Sequence, residues 1–91
     1  MSNIGNVLKD RGRKKEALEH YEQSLKIQEE MDDIYNVAVS NIQLGDLYAE
    51  TKDFNKAILH YNKALQISEE LGLLENMKIS YRGLSSLYEK M

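Results

Sequence analysis

The chain has 91 residues, of which 42% are hydrophobic and 30% charged, with a formal net charge of −3 and neither proline nor cysteine. This composition argues against a disordered chain, a disulfide framework and a thiolate metal site, and the mild acidity argues against general nucleic-acid binding. No apolar run approaches the length of a membrane span, so we expect one small cytoplasmic domain.

The chain repeats itself at an offset of 40 residues. Of the 51 residue pairs that this offset allows, 13 are identical, including Gly5 with Gly45, Ala17 with Ala57 and Tyr21 with Tyr61. Only about three matches would arise by chance, at roughly one in twenty, and self-similarity at a fixed period indicates a repeat array. A single domain is therefore predicted, with repeats at about 1–32, 33–72 and, in part, 73–91.

Apolar residues at three- and four-residue spacing predict two helices in each unit. In chain order, we expect five helices, at about 2–11, 14–31, 33–51, 53–72 and 74–90. Gly12 and Arg13 form the first predicted turn. Asp53 is predicted to cap the fourth helix with its carboxylate, and Gly72 to take the left-handed position after that helix ends.

The middle unit carries a recognisable motif: Leu44-Gly45, then Tyr48, Ala57 and Tyr61. This pattern resembles the tetratricopeptide repeat. The resemblance implies an all-α fold of antiparallel helix pairs, stacked in a short right-handed superhelix (an α-solenoid) of about two and a half repeats. Small residues such as Gly45 are expected where helices approach closely. Two departures are a period longer than the usual 34 residues and the lack of the usual tryptophan.

The resemblance also implies a function, which is to bind a peptide or partner protein in a concave groove lined by the first helix of each unit. Carried over to this chain, the positions facing that groove are Asn6, Lys9, Val39, Ile42, Gln43, Asp46, Ala49, Glu50, Ile79, Arg82, Ser86 and Glu89.

Two other functions stay open. Longer units of this kind resemble those in peptide-sensing regulators, so the chain could be the sensory module of a larger signalling protein. It could also be a self-assembly module, because the terminal helices are expected to leave two apolar strips uncovered. One strip holds Leu18, Tyr21 and Leu25, and the other holds Ile79, Leu84, Leu87 and Tyr88. We expect a homodimer, formed by joining like ends or by exchanging helices at the Thr51–Asp53 turn.

Other residue groups favour structural roles. His20 and His60 occupy equivalent repeat positions without further ligands nearby, so no metal site is predicted. The basic run from Lys9 to Lys15 is interpreted as a solvated turn. The sequence contains no glycine-rich phosphate loop and no nucleophile with a matched base. We therefore predict a non-enzymatic protein without a cofactor and without nucleic-acid or membrane partners.

Overall fold

A computed structural model describes residues 3–90, with side chains from Arg13 onward. Within that range the chain forms four helices and no strand: α1 (Asn3–Glu30), α2 (Ile34–Glu50), α3 (Phe54–Leu71) and α4 (Leu74–Lys90). Helices adjacent in sequence pack against one another, and α2 also contacts α4. The predicted all-α stack of helices is confirmed.

The first helix differs from the prediction. The helices expected at about 2–11 and 14–31 are one continuous helix, α1, so the turn predicted at Gly12 and Arg13 is wrong for this structure. The physical reason is that a glycine inside a helix costs only about 1 kcal/mol relative to alanine, and it keeps its N–H. With no proline in the chain, nothing in the segment forbids a helix.

The three connections between helices share one geometry. Each contains a residue with left-handed backbone, namely Asp32, Lys52 or Gly72, with φ of 56°, 65° and 70°. The next residue donates its N–H to the carbonyl five positions earlier, as Asp53 does to Tyr48 at 2.8 Å. This is the Schellman motif, which satisfies carbonyls left free at a helix end. The prediction for Gly72 is confirmed.

Asp53 stands at the predicted start of α3, but it does not cap the helix with its side chain. The backbone angles of Asp53, φ −89° and ψ 72°, and of Asp33, φ −83° and ψ 73°, lie outside the extended region that N-caps adopt. The carboxylate of Asp53 instead lies 3.8 Å from Lys56 Nζ. The predicted capping hydrogen bond is therefore wrong, because the backbone directs the carboxylate elsewhere.

The core is built around one face of α3. Ala57, Tyr61, Ala64 and Ser68 are almost completely buried there, at 0–2% exposure. The ring of Tyr61 lies between glycines of two other helices. A Cβ on Gly45 of α2 would lie 2.8 Å from the ring, and one on Gly83 of α4 would lie 2.5 Å from it. Glycine is thus required at both places because the ring occupies the space of a side chain.

The two apolar strips expected at the ends are only partly uncovered. Ile79 and Tyr88 are exposed, at 40% and 61%, whereas Leu84 and Leu87 are buried in the core. The expectation is therefore wrong for these two leucines, which pack in the same cluster as Tyr61. At the other end, the strip of Leu18, Tyr21 and Leu25 is half-buried against that cluster.

Two equivalent serines differ in their hydrogen bonding. Ser40 donates to Gln28 Oε1 at 2.7 Å. Ser80, at the same position of the next unit, is completely buried, and its hydroxyl has no partner among the described residues. The reason is one substitution, since the residue equivalent to Gln28 is Ser68, which donates to the Ala64 carbonyl instead. An unpaired buried hydroxyl destabilises the fold.

We predict that Gly45→Leu lowers the free energy of unfolding by more than about 2 kcal/mol, because the new side chain overlaps the Tyr61 ring. Ala57→Leu, at another fully buried position, should behave alike. The matched control is Ala49→Leu, which makes the same change as Ala57→Leu at a half-buried position of α2. Urea unfolding of the three variants measures this, and equal stability of Gly45→Leu and wild type would contradict the packing described.

The two serines provide a second, internally controlled prediction. Ser40→Ala should destabilise by about 1 kcal/mol, because it breaks a hydrogen bond and leaves the Gln28 side chain without that donor. Ser80→Ala should be neutral or stabilising, because it removes a hydroxyl that has no partner. Thermal and urea unfolding of both variants decide the matter, and equal losses would show that Ser80 is hydrogen-bonded in solution.

Candidate partner-binding cleft

Helices α2 and α4 lie side by side and enclose a cleft, which we call the α2–α4 cleft. Its volume is about 360 Å³. Each of the two helices forms one wall of the cleft. The side chain of Tyr61, from α3, lies beneath both helices and contacts Gly45 and Gly83. The lining residues are Asp46, Ala49, Glu50, Tyr61, Ile79, Arg82, Gly83, Ser86, Leu87 and Lys90.

Tyr61 links the core to the cleft. Its ring is 2% exposed, and its hydroxyl donates a hydrogen bond to Asp46 Oδ1. Burial, followed by the neighbouring Asp46 carboxylate, raises the pKa of Tyr61 far above its ordinary value of 10.0. The hydroxyl therefore stays protonated at physiological pH, where it orients the Asp46 carboxylate at the cleft wall.

The two walls carry opposite charges. Asp46 and Glu50 are exposed on α2, and Arg82 and Lys90 are exposed on α4. Glu50 also pairs with Lys14 of α1 at 3.4 Å, an exposed ion pair of small energetic value. Between the walls lie the apolar side chains of Ala49, Ile79 and Leu87. The cleft thus offers a short apolar strip between an acidic and a basic wall.

Six of the predicted groove residues come together in this cleft: Asp46, Ala49, Glu50, Ile79, Arg82 and Ser86. The others lie elsewhere. Val39 and Gln43 are half-buried on α2 outside the cleft, Ile42 is 7% exposed in the core, and Glu89 borders a different depression. Asn6 and Lys9 lie outside the residues whose side chains are described.

Four cleft residues were missing from the sequence prediction: Tyr61, Gly83, Leu87 and Lys90. The repeat motif includes Tyr61 but does not place it in the groove. Gly83 was missed because the family motif places its glycine at the position of Ser85, whereas here the glycine that meets Tyr61 lies two residues earlier. Gly83, Ser85 and Ser86 are all small, so residue size alone does not single out Gly83.

A second depression, of about 670 Å³, lies on the outer side of α3 and α4. It is bordered by Leu65, Leu84 and the exposed rings of Tyr81 and Tyr88, with Asn62, Ser85 and Glu89 at its rim. In the preceding unit the residue equivalent to Tyr88 is Tyr48, which α3 covers, leaving it 8% exposed. The depression is therefore the place that a following helix covers in the repeat.

His60 belongs to a polar cluster between α2 and α3. Its ring stacks on that of Tyr48, with centroids 5.4 Å apart, and its Nδ1 lies 2.8 Å from Asn41 Oδ1. Because an amide oxygen only accepts, Nδ1 carries the proton of this hydrogen bond. The Tyr48 hydroxyl in turn donates to Glu22 of α1, and burial and this bond raise its pKa to about 12. The cluster joins three helices.

Burial lowers the pKa of His60 below its ordinary value of 6.5, and the nearby Lys63 adds to this effect. His20, at the equivalent position, is exposed. Within the described residues, no group of three or more histidine, cysteine or acidic side chains is placed to hold a metal ion. None of the described helices is long and apolar enough to cross a membrane.

Comparison with known proteins gives one result. A family model for the tetratricopeptide repeat matches residues 1–70, which include α1, α2 and nearly all of α3. A search of curated proteins and a search of solved structures find no significant match.

We predict that stability falls between pH 7.5 and pH 5.5 partly because of His60. A histidine whose pKa is lowered by folding contributes its full stability above pH 6.5, and that contribution is lost as the pH falls below this value. His60→Gln, which keeps a hydrogen-bond donor, should therefore show a smaller loss than wild type. Urea unfolding at the two pH values measures it, with His20→Gln as the exposed control. Equal losses for wild type and His60→Gln would contradict the prediction.

Proposed function

The chain belongs to the tetratricopeptide repeat family, and on that premise we propose that it is a protein-interaction module that holds a segment of a partner protein in the α2–α4 cleft. Members of this family are generally non-enzymatic interaction modules, and we assign no catalytic role and no cofactor to this one. A chain without cysteine suits a reducing compartment, so we place its action in the cytoplasm.

The observation that carries the proposal is the arrangement of charges across the cleft. A ligand that lies between the walls meets Asp46 and Glu50 on one side and Arg82 and Lys90 on the other. Opposite charges on the ligand would be attracted to each wall, and such complementarity favours one orientation over its reverse. We propose an extended peptide with a basic side chain toward α2 and an acidic one toward α4.

The floor of the cleft limits the rest of the ligand. Leu87 is 2% exposed, and the Tyr61 ring fills the space beside Gly83, so neither residue leaves a deeper pocket in the floor. A volume of about 360 Å³ lies at the small end of ligand pockets. We therefore propose that one small apolar side chain, placed between the two charged ones, contacts Ala49 and Ile79.

Pre-organisation lowers the entropic cost of binding in so small a cleft. Asp46 is oriented by the Tyr61 hydroxyl before a ligand arrives, so its side chain loses little freedom on binding. Charged pairs at an exposed rim mainly affect the association rate and its salt dependence. We accordingly expect weak to moderate affinity that falls as the ionic strength rises.

The test is selection of peptides from a random displayed library, followed by titration of the enriched peptides. Arg82→Glu and Asp46→Lys should each weaken binding at least about tenfold, because each leaves like charges facing the ligand. Lys63→Glu, on the exposed side of α3, changes the charge equally but lies outside the cleft, so binding should be unchanged.

Circular dichroism of each variant must show wild-type helicity, so that a loss of binding is not a loss of fold. If Lys63→Glu abolishes binding and the two cleft variants do not, the partner binds elsewhere and the proposal fails.

A further inference from the structure

The feature that the proposed function leaves unused is the continuity of α1. Residues 43–70 form a helix, a turn and a second helix, whereas their sequence equivalents, residues 3–30, form one helix. The turn residue Lys52 has left-handed backbone, and its equivalent is Gly12. Glycine is the residue best suited to that conformation, yet Gly12 lies inside a helix.

Gly12 thus occupies a position that allows two arrangements of the same sequence. With left-handed backbone it would close a Schellman turn, and residues 3–10 would fold back on residues 14–30, as α2 does on α3. In the helical arrangement described here, residues 3–10 point away from them. The ion pair between Lys14 and Glu50 shows where α1 passes the end of α2, because Glu50 is the last residue of α2. The part of α1 before Lys14 therefore extends beyond α2 by roughly 15 Å, at 1.5 Å per residue.

The arrangement in which α1 is one continuous helix, which we call the open arrangement, leaves one face of α1 half covered. On α3, the stripe of Ala57, Tyr61, Ala64 and Ser68 is 0–2% exposed because α2 covers one side and α4 the other. The equivalent stripe on α1 is Ala17, Tyr21, Ser24 and Gln28. Its residues are half-buried or exposed, since α2 covers the side that corresponds to α4.

The internal repeat identifies what covers the remaining side. Tyr61 packs on Gly45, and both residues recur 40 positions earlier, as Tyr21 and Gly5. In the open arrangement a helix cannot bring its own Gly5 to its own Tyr21. We propose that a second copy of this chain supplies it, so that residues 3–10 of each copy cover the half-buried stripe of the other.

The register of this exchange makes it symmetric. If Gly5 of one α1 faces Tyr21 of the partner's α1, the two antiparallel helices are related by a two-fold axis that passes Arg13, midway between the two positions. Each copy then gives and receives the same contact, as closed two-fold dimers require. The point of exchange is the segment Arg11–Arg13, rather than Thr51–Asp53, which forms a closed turn here. The proposal does not depend on what the α2–α4 cleft binds.

Sedimentation equilibrium of the full chain tests the assembly. Wild type should dimerise at micromolar concentration. Gly12→Ala favours the continuous helix and disfavours the turn, so it should tighten dimerisation at least about tenfold. Lys14→Pro should give a monomer, because proline inside a helix removes an N–H and clashes with the preceding turn. In the turn arrangement residue 14 is equivalent to Phe54, the first residue of α3, where proline is well suited.

Cross-linking tests the geometry, since the chain has no cysteine of its own. Arg13→Cys places a single thiol beside the proposed two-fold axis, so oxidation should link two copies nearly completely. Asp53→Cys, at the equivalent position beside a closed turn, is the matched control and should stay largely unlinked. A monomeric wild type, association that survives Lys14→Pro, or equal cross-linking of the two variants would overturn the proposal.

Discussion

The structure depends on one steric fit, the ring of Tyr61 between two glycines. Gly45 on α2 and Gly83 on α4 leave the space that the ring fills, with distances too short for any added carbon. Three helices are thereby fixed relative to one another by a single aromatic side chain. Because α2 and α4 are held apart by the width of that ring, an open cleft remains between them, and the Tyr61 hydroxyl reaches its acidic wall at Asp46. The Tyr61 side chain thus contributes both to the packing of the core and to the shape of the candidate binding cleft.

Much of this arrangement could be predicted from the sequence because it depends on local spacing. The boundaries of α2, α3 and α4, the left-handed Gly72 and the burial of Tyr61 follow from periodicity and from the small-residue motif. Half of the predicted groove residues lie together in the cleft. The helix boundaries, the conformation of Gly72 and the burial of Tyr61 share a cause, because each needs only the repeat pattern and the preferences of single residues. The binding role of the groove residues stays a prediction.

The parts that were not predicted depend on contacts between distant residues or on small energy differences. Gly83 could not be assigned from the motif, since only the path of α4 brings it to Tyr61. The missing cap at Asp53 reflects backbone angles that the residue type does not determine. The continuity of α1 depends on Gly12, for which helix and turn differ by about 1 kcal/mol. At such a position neighbouring surfaces decide the conformation, and residue preference does not.

A double-mutant cycle between Tyr61 and Gly45 tests the central fit most directly. Gly45→Ala should destabilise strongly in wild type, where its Cβ would lie 2.8 Å from the ring. In a Tyr61→Ala background the ring is gone, so the same change should be neutral or slightly stabilising, because alanine favours a helix. The account predicts a coupling of at least about 1 kcal/mol between the two sites from urea unfolding. Additive effects, with the same cost of Gly45→Ala in both backgrounds, would contradict it.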